Sequence, residues 1–167
     1  MPETAYLHPT PAGHFIDHGY GDNVHIMADP WALSVLARIG HPDCKPPLLH
    51  DLISSAYWRL LHATVDQLPT RVVDVETRMA AVQGDAYYRG RIIDPHHRAV
   101  VVDVARAGIL PAQVCQRSLL EFLDVDAVRV DHFYLQRIAD PVTGELLGVD
   151  MSGSKIGGPV EGATVYV

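Results

Sequence analysis

The stretch Arg98-Ala-Val-Val-Val-Asp-Val-Ala-Arg-Ala-Gly-Ile-Leu-Pro111 decides the fold of this chain. Its valine-rich first half is nearly continuous in apolar residues, which predicts a strand covered on both faces, as in a parallel α/β sheet. From Ile109 the apolar residues recur every three or four positions, which predicts a helix with one apolar face. The turn between the two therefore lies at the carboxyl end of a strand, where open α/β sheets bind their ligands.

Arg106 and Gly108 are the candidate binding residues in this turn. A guanidinium can donate two hydrogen bonds to a phosphate, and glycine allows a close backbone approach or a positive φ. An arginine before a small residue and a glycine also occurs in ordinary solvated turns. These two residues alone leave both interpretations open.

The segment Val102-Asp-Val-Ala-Arg-Ala-Gly108 resembles the strand and turn of uracil phosphoribosyltransferases, in which Arg-Ala-Gly after an apolar strand contacts the sugar diphosphate donor. The resemblance extends in order over residues 23–167, and residues 1–22, rich in Pro and Gly, are interpreted as an N-terminal arm. The other matching segments are Asn23–Ile26, Asp29-Pro30, Leu60–Thr64, Asp66–Pro69, Val128–Arg137 and Gly144–Val149.

The resemblance implies an α/β fold with a phosphoribosyltransferase-like parallel sheet flanked by helices and a projecting antiparallel β-arm. It implies that phosphoribosyl diphosphate (PRPP), entering with Mg²⁺, is bound by Arg106, Ala107, Gly108 and Arg137. The implied reaction transfers phosphoribose from PRPP to uracil and gives UMP and diphosphate, in a cytoplasmic homo-oligomer. It implies no catalytic side chain and no protein ligand to a metal among these residues.

The last residues, Gly162–Val167, form a strand-like run. In the resembled family this strand leads into an Asp-Pro-Met-x-Ala-Thr-Gly loop that binds the donor, and the uracil-binding residues follow later in the sequence. We therefore expect this chain to be an N-terminal portion that lacks the donor loop and the base site and does not catalyse transfer alone. The alternative is a noncatalytic binding or regulatory protein with the same fold, with which Asp103 inside the apolar strand is compatible.

Composition limits the other functions. The 167 residues suit one globular domain, and the net charge of −7 argues against nonspecific binding to nucleic acid or to anionic membranes. Two cysteines, Cys44 and Cys115, are too few for a disulfide framework, and no apolar run reaches the roughly 18 residues of a membrane span. A reduced, cytoplasmic setting is the expectation.

Local patterns predict the remaining elements. Trp31–Ile39 is predicted as a helix capped by Asp29, and Leu48–Leu68 as a long helix buried on more than one side, by the core or by a second subunit. Residues 69–76 and 84–93 are predicted as strands, and Asp140-Pro-Val-Thr-Gly144 is predicted as the turn of the antiparallel arm. Ser152–Pro159 is predicted as a mobile linker, the histidines His14 and His18 as a weak candidate metal pair, and His96-His97-Arg98 as a solvated loop.

Overall fold

The computed structural model describes residues 15–16 and 18–167. The chain divides into two compact units, residues 1–63 and 64–167. The division predicted from sequence, with an arm over residues 1–22, stays a prediction, because residues 1–14 and 17 lie outside the described part. His14 is among those residues, so the predicted pair of His14 and His18 stays a prediction as well.

The described part of the first unit contains a short antiparallel pair of strands, one complete helix and all but the last two residues of a second helix. The two strands, β1 at Phe15–Ile16 and β2 at Ile26–Met27, pair Phe15 with Met27 and Ile16 with Ile26. The bounds are β1 Phe15–Ile16, β2 Ile26–Met27, α1 Pro30–Ile39 and α2 Leu48–Val65.

Helix α1 has the cap and the end that the sequence predicts, and it begins one residue earlier than predicted, at Pro30. The Asp29 carboxylate accepts hydrogen bonds from the backbone N–H groups of Trp31 and Ala32 at 3.1 and 3.0 Å, and Pro30 occupies the first turn. These contacts satisfy backbone donors that have no partner within a helix. The same carboxylate accepts a hydrogen bond from Arg59 at 3.2 Å, which ties α2 to the start of α1. Gly40 ends the helix.

Helix α2 is shorter than predicted and exposes large apolar side chains. It ends at Val65 and not at Leu68. Leu61 is its only buried residue among those the structure describes, whereas Tyr57, Trp58 and Leu60 are 40%, 42% and 48% exposed. Burial of this helix on more than one side, by the core or by a second subunit, stays a prediction.

The second unit holds three sheets, one α-helix of its own, and two short 3-10 helices at Arg78–Ala81 and Val125–Ala127. Its antiparallel pairs are the β3–β4 hairpin and the β7–β8 arm, and its parallel sheet has the order β6–β5–β9. The bounds are β3 Thr70–Glu76, β4 Tyr87–Ile93, β5 Ala99–Ala105, α3 Ile109–Leu119, β6 Val128–Tyr134, β7 Gln136–Ala139, β8 Leu146–Asp150 and β9 Thr164–Tyr166.

The core of this unit lies around β5, the central strand. Val100 and Val101 are each 2% exposed, and Leu119 of α3 is fully buried. Helix α3 packs against β5 and β6. The mixed α/β fold with a parallel sheet and a separate antiparallel arm is confirmed. The phosphoribosyltransferase-like form of that fold stays a prediction.

The glycine-rich segment 152–159 is not a free linker in the structure. It runs beside β6, where Lys155 and His132 exchange two backbone hydrogen bonds of 2.8 and 2.9 Å. A Cβ on Gly153 would lie 3.0 Å from the Tyr134 ring, and one on Gly157 would lie 2.8 Å from Arg129 Cδ. The sequence suggested mobility because glycine is flexible, but here glycine allows close packing.

The predicted solvated loop before β5 is also held in place. His96 Nδ1 lies 2.6 Å from Asp124 Oδ2, and His97 Nε2 lies 2.8 Å from Thr164 Oγ1. Arg98 donates to the carbonyl oxygen of Glu161 at 3.3 Å. These side chains fasten the amino end of β5 to its surroundings and lie at the end of the strand opposite Arg106.

Candidate functional site

The turn after β5 brings the backbone of Gly108 close to that of Val104. The Gly108 N–H donates to the Val104 carbonyl at 2.8 Å, and an added Cβ at Gly108 would lie 2.5 Å from Val104 N and 2.9 Å from Val104 O. The φ of Gly108 is −76°, which any residue can adopt. Glycine is therefore required here by space and not by backbone conformation.

Arg106 and Ala107 are exposed at this turn. Within the part of the chain that the structure describes, the Arg106 guanidinium makes no hydrogen bond or ion pair. The turn leads into the amino end of α3, which has neither a side-chain cap nor an acidic residue in its first turn. Because a helix amino terminus carries partial positive charge, the guanidinium and the helix end favour the same kind of ligand, an anion.

Arg137 follows the neighbouring strand. It lies in β7 opposite Val149, is exposed, and likewise has no hydrogen bond or ion pair among residues 15–16 and 18–167. Ala105 and Tyr134 are paired at the ends of β5 and β6, so both arginines leave the sheet at its carboxyl edge. Paired strands lie about 5 Å apart, and the intervening residues extend at most about 14 Å in total, so the Arg106 and Arg137 Cα atoms are within roughly 19 Å. Convergence of the two guanidinium groups on one ligand stays a prediction.

Sequence reasoning missed a second cluster, on the face of the sheet that α3 covers. Asp103 of β5 and His132 of β6 are register partners, and His132 Nδ1 lies 2.6 Å from Asp103 Oδ2. Asp103 is 4% exposed, whereas the His132 side chain is 55% exposed. The available signal was an aspartate inside a run of valines, which has to find a partner if the strand is buried.

Lys155, in the segment that pairs with β6, is the third member of this cluster. It exchanges both backbone hydrogen bonds with His132, so the two residues form a hydrogen-bonded antiparallel pair with side chains on one face. Asp103, His132 and Lys155 thus form a row across the sheet, which we call the Asp-His-Lys row. They line a cavity of about 530 Å³, whose other walls are Ala105, Ile109, Ala112, Gln113, Gln116, Val130, Phe133, Tyr134 and Gly153.

A structural ion pair lies beside the cluster. Arg129 and Asp131 of β6 are joined by two hydrogen bonds of 2.9 Å, and the Gly157 N–H donates to Asp131 at 3.0 Å. Burial acts to raise the pKa of Asp131, but these hydrogen bonds and the charges of Arg129 and His132 together hold it below its ordinary value. The pair binds the glycine-rich segment to β6 and thereby positions Lys155.

The described residues contain no group of three or more His, Cys, Asp or Glu side chains placed to hold a metal ion. None of the helices in the described ranges is both long and apolar enough to cross a membrane. Cys44 and Cys115 are both free thiols.

No family model and no curated protein matches the chain. Among solved structures it is similar to the AQ2163 protein from Aquifex aeolicus, with a TM-score of 0.55 and 14% sequence identity over 83% of this chain. At that identity the likeness shows the fold alone. The chain spans 58% of the length of that protein.

Proposed function

We propose that the carboxyl edge of β5 and β6 binds the diphosphate of PRPP, and that the protein acts in uracil phosphoribosyltransferase-like pyrimidine salvage. The observation that carries the proposal is the exposed, unpaired Arg106 beside the tight Gly108 turn at the amino end of α3. The resemblance of Val102–Gly108 to the donor-binding turn of that family supports the same assignment.

The chemistry of such a transfer suits these residues. The bond between the sugar and the diphosphate breaks as the base attacks, and the sugar carbon becomes cationic while negative charge grows on the leaving diphosphate. Arg106 and Arg137 would donate hydrogen bonds to the diphosphate oxygens, and the protein would act mainly by positioning reactants and by stabilising charge. Neither arginine has to give or take a proton.

Magnesium belongs to this proposal as part of the Mg²⁺–PRPP substrate. The predicted site residues Arg106, Ala107, Gly108 and Arg137 offer cationic side chains and backbone N–H groups, which match diphosphate oxygens and not a metal ion. These residues therefore fit the diphosphate end of the substrate, with the metal held by the substrate's own oxygens.

The test is calorimetric titration of Mg²⁺–PRPP into the wild-type chain and into Arg106→Ala. We expect the substitution to weaken binding by about tenfold or more, because charge-assisted hydrogen bonds are worth about 1.5–3 kcal/mol. Arg117→Ala is the matched control, since Arg117 is exposed in the last turn of α3, at the end of the helix away from the turn. Equal binding by the two variants would refute the assignment of Arg106.

Catalysis needs a second experiment, since the uracil site and the donor loop are expected outside this chain. We expect the 167-residue protein to bind donor and to form no UMP from labelled uracil, and a chain extended through the donor loop to form it. The noncatalytic alternative predicts binding without transfer in both chains. UMP formed by the 167-residue protein and abolished by Arg106→Ala would show that the active site lies within these residues.

A further inference from the structure

We propose that the cavity between α3 and β6 is a second ligand site, and that it takes a small aromatic acid carrying a hydroxyl group. Its polar side chains are those of the Asp-His-Lys row, two glutamines and Tyr134, and neither Arg106 nor Arg137 lines it. Ligand binding in this cavity does not depend on the proposed donor site.

The hydroxyl preference follows from the pairing of His132. The Asp103 carboxylate accepts hydrogen bonds only, so the hydrogen of the 2.6 Å contact belongs to His132 Nδ1. In the neutral ring this fixes Nε2 as an acceptor. The His132 side chain is 55% exposed and lines the cavity, so its acceptor nitrogen is available to an O–H group of a ligand.

The acid preference follows from Lys155. Its Cα lies about 5.5 Å from that of His132 in the hydrogen-bonded antiparallel pair, with both side chains on the cavity face. Its ammonium group makes no ion pair with any described residue. A carboxylate on the ligand would supply that partner at a fixed spacing from the hydroxyl.

The preference for an aromatic ligand follows from the apolar residues that line the cavity. Ile109 and Ala112 of α3 face Val130 and Tyr134 of β6 across the space, and apolar surface predominates in the lining. A volume of about 530 Å³ falls within the range of small-molecule sites, roughly 300–1,000 Å³. A sugar phosphate has too little apolar surface to cover such walls, whereas an aromatic ring with substituents at opposite ends has enough.

Asp103 provides an independent observation that points to a ligand. Its Oδ1 atom is sealed from solvent and has no hydrogen-bond partner in the described structure, while Oδ2 holds His132. A buried acceptor without a donor is unfavourable, and such an atom in a native structure calls for an explanation, of which a functional role is one. We assign Asp103 as a positioning residue that orients His132.

The experiment titrates three matched probes into the full chain: para-hydroxybenzoate, benzoate, which lacks the hydroxyl, and para-hydroxybenzamide, which lacks the charge. We expect saturable binding of para-hydroxybenzoate to one site, and binding at least about fivefold weaker for each of the other two, since each loses one hydrogen bond or ion pair. In spectra of ¹⁵N-labelled histidine, the largest change should fall on His132 Nε2.

Variants separate this site from the proposed donor site. Lys155→Met should remove the preference for the acid over the amide, and His132→Phe the preference for the hydroxyl, while both variants keep Mg²⁺–PRPP binding. Arg106→Ala should leave para-hydroxybenzoate binding unchanged, which also shows that loss of the donor site leaves the cavity intact. The proposal is overturned if none of the probes binds, if Lys155→Met and His132→Phe bind all three as the wild type does, or if Arg106→Ala abolishes binding.

Discussion

The Arg129 guanidinium donates two hydrogen bonds to the carboxylate of Asp131, which lies two positions away on the same strand. They run from Nε to Oδ1 and from Nη2 to Oδ2, both at 2.9 Å. The same guanidinium donates to the carbonyl oxygens of Gly158 and Pro159, at 2.9 and 3.3 Å. One side chain therefore both neutralises a carboxylate that is 2% exposed and fastens the glycine-rich segment to β6.

Removing Arg129 should destabilise the second unit strongly. Arg129→Met leaves the Asp131 charge buried without its partner, which costs about 3 kcal/mol of unfolding free energy. Arg89→Met is the control, because the Arg89–Asp74 pair is exposed and such pairs contribute about 1 kcal/mol or less. Urea unfolding measures both, and similar losses in the two variants would contradict the structural role assigned to Arg129.

The Asp131 carboxylate should make stability depend on pH. Its pKa in the folded protein lies below the ordinary 3.8, so its contribution is complete above that pH and is lost as the pH falls through the folded value. Asp131→Asn should therefore have a lower free energy of unfolding than the wild type at neutral pH, and this difference should disappear in strong acid. A difference in unfolding free energy that is constant from neutral to acidic pH would show that this carboxylate does not titrate as described.

The turn at Gly108 should not tolerate a methyl group. Gly108→Ala places a Cβ 2.5 Å from backbone N of Val104, so the turn must open, at a cost of about 1–3 kcal/mol. It should also weaken Mg²⁺–PRPP binding, because Arg106 moves with the turn. Gly84→Ala, where an added Cβ meets nothing within 4 Å, is the control and should change neither quantity.

Cys115 should be unreactive in the native protein. Burial raises the pKa of its thiol to about 12, so almost none of it is thiolate near neutral pH. We expect iodoacetamide to modify Cys115 only after unfolding, as followed by mass spectrometry of the tryptic peptide. Rapid native labelling of Cys115 would mean that this face of α3 opens in solution.

The exposed apolar residues of α2 should support self-association. Tyr57, Trp58 and Leu60 are large, exposed apolar side chains close together on this helix, and a second copy of the chain would remove them from water. Light scattering should give a mass above 18.3 kDa at high micromolar concentration, and Trp58→Ser with Leu60→Ser should lower it. Ser54→Ala, on the same helix, should have no effect, and a wild-type monomer would contradict the prediction.

The sequence by itself determined the elements whose signals are local. The Asp29 cap, the β5–turn–α3 unit and the Asp140–Gly144 turn of the arm depend on residues within a few positions of each other. Gly144 adopts the positive φ of 71° that its turn requires, and Asp140 accepts hydrogen bonds from the N–H groups of Val142 and Thr143. Backbone sterics and capping are short-range, so one chain segment is enough to predict them.

Tertiary structure alone decided the Asp-His-Lys row and the exposure of α2. Asp103 and His132 are 29 residues apart and become neighbours only through the parallel register of β5 and β6, and Lys155 joins them only because the glycine-rich segment packs beside β6. A shift of one residue in either pairing would send these side chains to opposite faces of the sheet. No local pattern encodes such a register, because it is set by how the whole sheet buries its apolar face.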